Sequence, residues 1–213
     1  MVIVLTPGRK SQEEQMDNAD RRVIRTRRLL KEALLELINQ GPYEVITIRD
    51  ITDCADIGYA TFFRHYNGKD DLMLEIFTEI IENLESLSNT HNDKYFEREG
   101  YLLFQHVEGN RAMYRGVLDS QMFSKKLRIH LSEMVQVHLD RHNDRVTTQT
   151  IPFEIAANHM VSSIMGLIDW WITNDMPYSK ERMAVVYEHL VIGATWHALN
   201  ADNTLWLPWE KSD

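Results

Sequence analysis

The sequence predicts an all-α protein, and three observations predict it. Apolar residues recur every three or four positions along most of the 213 residues, the spacing that lines one face of a helix. Alternation of period two, the mark of a half-buried strand, is nowhere sustained. Gly41-Pro42, Asn67-Gly68 and polar runs such as "SNTHND", "NDRVTTQTIP" and "NDMPYS" cut the periodic stretches at helix-sized intervals. About nine helices follow from these breaks. They are expected to form a small N-terminal three-helix unit tied by a long fourth helix to a larger C-terminal bundle.

Residues 1–19, with Pro7, Gly8 and "SQEEQMDN", show no apolar period and little to bury, so they read as a mobile arm. Asp20 is placed to cap the first helix, whose Val23, Leu29, Leu30, Ala33, Leu34, Leu37 and Ile38 form one broad stripe. Gly41-Pro42 stops it, because a residue before proline is held out of the helical region. Thr47 then caps a short second helix, "IRDITDC", and Asp50 at its third position fits a capping box. After a turn around Asp56, a third helix runs from about Gly58 to His65, and Asn67-Gly68 closes it. Lys69 to Leu87 reads as a longer fourth helix with Leu72, Ile76, Phe77, Ile80, Leu84 and Leu87 on one side. Further helices are expected near 93–108, 110–118, 120–142, 151–173 and 179–199. The chain thus divides into an arm (1–19), an N-terminal domain (20–74), a helical bundle (75–200) and a tail (201–213) whose Trp206 and Trp209 are expected to pack back on the bundle.

Composition narrows the function classes. An apolar content of 44% with 26% charge is that of an ordinary globular chain. Cys54 stands alone, so neither an intramolecular disulfide nor a thiolate metal cluster is available. No apolar run approaches the roughly 18 residues of a membrane span. The opening "MVIVLT" lacks a basic segment before it, so a cytoplasmic location without membrane contact is expected. Neither a Ser/His/Asp set nor a glycine-rich phosphate loop in strand context stands out, so no enzyme and no cofactor is predicted.

The net charge of -9 is unevenly spread. Residues 20–74 hold nine Lys/Arg and nine Asp/Glu, whereas residues 75–213 hold 12 and 20. The acidic remainder would repel a phosphate backbone, so a DNA-facing end is the N-terminal one, where "RRVIRTRRLLK" gathers its arginines. Two short helices joined by a tight turn behind a longer helix form the arrangement that lays a second helix in the major groove. Phe62 and Tyr66, at i and i+4, face the core together, which leaves Tyr59, Ala60 and Phe63 on other sides. Tyr59 is the residue best placed to reach base edges. Thr61 and His65 are placed to donate to phosphate oxygens, and Lys69 beside the start of the fourth helix could join its amides in one anion site.

The run "TIRDITDCADIGYATFFRHYNGKDDLM" resembles the N-terminal DNA-binding domain of the TetR family of transcriptional regulators. Thr47, Ile51, Ala55, Ile57, Thr61, Phe62, His65, Tyr66, Lys69 and Leu72 occupy the places of that family's helix-turn-helix pattern. The resemblance implies a set of DNA-contacting residues: Arg49, Gly58, Tyr59, Ala60, Thr61, Phe63, Arg64, His65 and Lys69. Four positions depart from the pattern. Thr52 stands where a small Ala is usual, so its hydroxyl must be satisfied by its own preceding turn. Asp56 replaces the turn glycine, Gly58 replaces a capping Ser or Thr, and Phe63 replaces a Tyr whose hydroxyl usually reaches phosphate.

"YLLFQHVEGNRAMYRGVL" and "IMGLIDWWITNDMPYSKERMA" are similar to the regulatory domain of one TetR subgroup. The resemblance implies an inducer pocket and dimerisation through the last two helices. Phe104, Met113, Met134, Met165 and Trp170 are the candidate apolar lining, with His106, His138 and His159 as polar handles. For the dimer, Val161, Ile164 and Ile168 on one helix and Val185, Ile192 and Trp196 on the other offer apolar surface. His138 and His142 are i and i+4 but lack a third ligand on their side of the helix, so no metal is predicted. The resemblance thus implies a homodimeric, ligand-responsive repressor that binds a near-palindromic operator and an unidentified small-molecule effector. The rival expectation is a TetR-like protein-interaction module or coregulator with weakened DNA binding, motivated by Phe63, Asp56 and the acidic bundle.

Overall fold

The computed structural model describes residues 9–88, 95–141 and 151–200. The tail with Trp206 and Trp209, and His142, lie outside them. The chain forms two compact units, Met1–Ile76 and Phe77–Asp213. All elements among the described residues are helical.

The first unit begins with α1, Arg9–Gln40. The helix starts before Asp20, so that residue lies inside it and does not cap it as expected. Gln, Glu and Met lose little side-chain freedom in a helix, so the "SQEEQM" stretch is helix-permissive even without an apolar period. A 3-10 turn, Tyr43–Val45, leads to α2, Ile48–Cys54, and then α3, Tyr59–Phe62. The core joins Leu30, Ala33, Leu34 and Ile38 of α1 to Tyr43, Ile51, Phe62, Tyr66 and Leu72, all buried. α3 is shorter than its predicted span. Beyond Phe62 the amides of Arg64 and His65 bond three residues back rather than four, which tightens the backbone into a turn.

α4, Lys69–Ser88, is continuous and supplies residues to both units. The second unit adds α5 (Tyr95–Gly109), α6 (Arg111–Leu118), α7 (Gln121–Arg141) and α8 (Phe153–Thr173). The last helical run comprises α9 (Lys180–Tyr187), a π-helical segment (Glu188–Gly193) and α10 (Ala194–Asn200). Counting that run once, the described residues form nine helices.

Two features hold the bundle's registers. Gly100 lets α5 approach α9 closely, since a Cβ there would lie 2.9 Å from Tyr187 Cδ1 and 3.3 Å from the Ala184 backbone. The end of α8 is clamped by Arg111, which pairs with Asp175, and by Arg115, whose Nη2 donates to the Ile172 carbonyl at 3.0 Å. Asp175 and Met176 both turn left-handed there, with φ of 58° and 53°. Trp171 Nε1 secures the turn by donating to the Tyr178 carbonyl at 2.9 Å.

Candidate nucleic-acid interface and regulatory cavity

The turn between α2 and α3 is built from satisfied polar groups. Thr47 N donates to Asp50 Oδ2 at 2.8 Å and Asp50 N to Thr47 Oγ1 at 3.2 Å, completing the capping box. The hydrogen bonds from Thr47 hold the Asp50 carboxyl below the usual carboxylate range. Thr52 is buried, and its hydroxyl donates to the Arg49 carbonyl at 3.0 Å, within its own preceding turn as the sequence required. Asp56 takes up the left-handed conformation (φ 52°) that a glycine would occupy, and Ile57 N then reaches the Thr52 carbonyl at 2.9 Å. Aspartate tolerates this backbone better than most residues, so the turn keeps its geometry.

α3 divides its aromatics between inside and outside. Phe62 is 0% exposed and tilts against Tyr66 at 5.6 Å between ring centroids. Tyr59 and Phe63 are 51% and 47% exposed and meet edge to face at 5.2 Å. Arg49, Ala60 and Arg64 are exposed beside them, and Thr61 and His65 are half-buried. Gly58 begins the helix with an extended backbone and no side-chain cap.

Lys69 is engaged within the N-terminal unit. Its Nζ donates to the carbonyls of Tyr43 (2.7 Å), Glu44 (3.0 Å) and Ile46 (2.8 Å) and lies 4.5 Å from the centre of the Tyr43 ring. An ammonium has three N–H donors and all three are spent on this turn, so it fastens α4 to the 3-10 segment. Burial pulls its pKa below the ordinary lysine value. Tyr43, which the sequence reading did not single out, completes the joint by donating from its hydroxyl to Asp70 Oδ1 at 2.7 Å. The arginine cluster is also partly committed within the unit. Arg27 and Lys31 both pair with Glu75 at 2.5 Å, Arg27 Nε donates to the Tyr66 hydroxyl at 3.3 Å, and Arg28 pairs with Glu32 at 2.8 Å. Arg22 and Arg25 are exposed.

In the second unit, a cleft of about 910 Å³ lies between helices α4 to α8 and the last helical run. Of the predicted lining, Met134, His138 and Met165 border it. The other five do not. Phe104 and Met113 are core residues, Phe104 standing edge-on to Trp171 at 5.3 Å. His106 is half-buried and pairs through Nδ1 with the Tyr114 hydroxyl at 3.0 Å, and burial lowers its pKa. His159 is exposed, as is Trp170, which stacks on Tyr178.

The cleft is instead bordered by Val161, Ile164, Ile168, Ile192 and Trp196, five of the six residues expected at the dimer interface. Val185 alone of that set is exposed, at 42%. The π segment changes the phase of the last helical run. On a regular helix Val185, Ile192 and Trp196 would share one face, but the wider turn over Glu188–Gly193 rotates everything after it and sends Ile192 and Trp196 inward with Tyr187 and Val191. His130, which borders the cleft and pairs through Nε2 with Thr78 Oγ1 at 2.8 Å, was overlooked, although it stands four residues before Met134 on the same stripe. Among the described residues no group of three His, Cys, Asp or Glu could hold a metal.

Comparison with known proteins agrees with this architecture. Residues 30–76 match the profile described as bacterial regulatory proteins, tetR family, and residues 99–193 match that described as transcriptional regulator C-terminal region. The chain belongs to the TetR family of transcriptional regulators. It is 37% identical over 98 residues to the HTH-type transcriptional regulator YxbF of Bacillus subtilis, covering 44% of this chain. Over 93 residues, 43% of this chain, it is 25% identical to DhaS of Lactococcus lactis, the dhaKLM operon transcriptional activator. The chain spans 25% and 48% of the lengths of these two curated relatives. A solved TetR regulator from Streptococcus agalactiae shares the fold with a TM-score of 0.58 and 23% identity, over 83% of this chain and 98% of that one.

Proposed function

We propose that this TetR-family regulator is a homodimeric, ligand-responsive repressor that reads a near-palindromic operator through α3, in the cytoplasm. The observation that carries the reading is the exposed outer face of α3. Tyr59, Ala60 and Phe63 project from a helix whose inner face is anchored by buried Phe62 and Tyr66. A groove about 12 Å wide admits one such helix. Tyr59 and Ala60 meet base edges, while Gly58, Thr61, Phe63 and His65 lie along the backbone with Arg49 and Arg64 supplying charge. Lys69 acts through the turn it fastens.

The second copy packs against the exposed stripes of α8 and of the last helical run, where Ile155, Trp170, Val185 and Leu190 leave apolar surface open. Two-fold symmetry then sets the reading helices one DNA turn apart, roughly 34 Å. The effector occupies the cleft. Phe77, Ile80, Ile81 and Leu84 of α4 border it, so a ligand there bears directly on the helix that continues from the reading unit. A ligand with different affinities for two settings of α4 changes operator affinity by that difference.

The test is titration of operator-containing and random duplexes at two salt concentrations. Specific binding at least a thousandfold tighter than random is expected, with both falling as salt rises. Equal affinity for both duplexes, joined to one stoichiometric protein partner in a pull-down, would support the protein-interaction reading instead.

A further inference from the structure

We propose that α3 reads thymine methyl groups, so that each half-site is recognised through A·T pairs whose thymines face the helix. This rests on the reading of α3 as the helix that enters the major groove, and it names the feature of the groove that the helix selects. From Gly58 to Tyr66 the sequence, "GYATFFRHY", contains no Asn, Gln, Asp or Glu. Those are the side chains that recognise adenine by a pair of hydrogen bonds or accept one from cytosine. Asn67, the next amide along the chain, is committed to Asp71, its Nδ2 donating to Oδ2 at 2.8 Å. What the exposed face offers is apolar: the Tyr59 ring, the Ala60 methyl and the Phe63 ring. Phe63 stands edge-on to Tyr59 and also, at 5.4 Å, to the buried Phe62. The ridge is therefore held by the core of its unit and is set before DNA arrives.

The major-groove edges of the bases carry hydrogen-bonding groups with one apolar exception, the C5-methyl of thymine. An apolar ridge pressed on guanine O6 and N7, or on cytosine N4, takes those groups out of water and returns no hydrogen bond, so such pairs are selected against. Against thymine the same ridge buries a methyl group and gains. The Tyr59 hydroxyl is a single phenolic group and a threonine hydroxyl such as that of Thr61 bonds to any base, so neither supplies a two-point contact that would outweigh the apolar term. Arg64, exposed just beyond α3, is the one side chain of this stretch able to bind guanine O6 and N7 together. It defines the competing outcome, a helix that reads guanine.

Duplexes enriched from a random pool by the full chain supply an operator, and the tightest of them is resynthesised with deoxyuridine in place of single thymines, which removes only the methyl group. Each contacted methyl should then cost about fourfold in affinity, the size of one buried methyl group, while random duplex binds equally with thymine or uracil. Tyr59→Ala should bring the two forms to within about twofold at the position that ring contacts, with melting temperature unchanged, and Ala60→Ser should do the same at its own position. Equal affinity of the thymine and uracil operators, as guanine reading by Arg64 would give, would overturn the thymine assignment while leaving α3 as a DNA-reading helix. So would a uracil loss that persists undiminished in both variants, since it would report duplex shape rather than contact. Enrichment of no sequence from the pool would overturn both readings.

Discussion

Around the reading helix, polar side chains are consumed in holding backbone. Lys69 closes three carbonyls of the 3-10 turn, Thr52 closes one of α2, and Thr47 with Asp50 closes the start of that helix. In the bundle, by contrast, glutamates and histidines stand on the walls of a cleft among apolar side chains. The first region is specified by short-range bonds that fix one geometry. The second keeps volume unfilled and charge exposed to it. The contrast teaches that a surface fixed by short bonds and a bundle built around an open cleft have opposite packing requirements, and that substitutions in the two should fail in different ways.

The largest expected effect falls on the anchor of the reading helix. Phe62→Ala removes a ring that is 0% exposed and should destabilise the N-terminal unit by about 3–5 kcal/mol, read from thermal or urea unfolding. Lys69→Met follows, at about 2–3 kcal/mol, because the part-buried carbonyls of Tyr43 and Ile46 and the exposed one of Glu44 lose a charged donor. If Lys69 contacted phosphate instead, that substitution would weaken DNA binding while leaving the melting temperature unchanged. In the bundle, Gly100→Ala forces a methyl against Tyr187 and the Ala184 backbone and should cost about 1–3 kcal/mol.

Smaller effects sharpen the contrast further. Acidification should destabilise the bundle through His106. Its folded pKa is depressed by burial, so the unfolded chain takes up the proton first, and stability is lost as pH falls from about 6.5 towards the folded value. His106→Gln should flatten that part of a melting-temperature profile. At the reading head, Gly58→Ser adds a cap where the nearest atom to a new Cβ is Thr61 Oγ1 at 3.5 Å, and should stabilise by only a few tenths of a kcal/mol.

Much of the reading head was legible because its signals are local. A capping threonine three residues before an aspartate, a turn residue able to go left-handed, and aromatics four apart each state their own geometry within one or two turns. Lys69 was the exception. Its place in the sequence suggested an anion site, but its partners, the carbonyls of Tyr43, Glu44 and Ile46, lie more than 20 positions away. In the bundle, the periodic stripes located the helices well and the surfaces poorly. An apolar stripe records that something covers a residue without recording whether that is the same bundle, a ligand or a second copy. The cleft therefore claimed Val161, Ile164 and Ile168, and the π segment turned Ile192 and Trp196 away from the face shared with Val185. A wide turn of this kind carries no fixed residue signature, so a 3.6-residue period read across it goes out of phase.

The central claim is that the outer face of α3 reads DNA while its inner face holds the fold. Tyr59→Ala tests it most directly, measured as affinity for operator and for random duplex together with melting temperature. Operator affinity should fall about tenfold, in the range of one lost base contact, with random binding and melting temperature unchanged. An equal loss on both duplexes, or no loss on either, would contradict the claim.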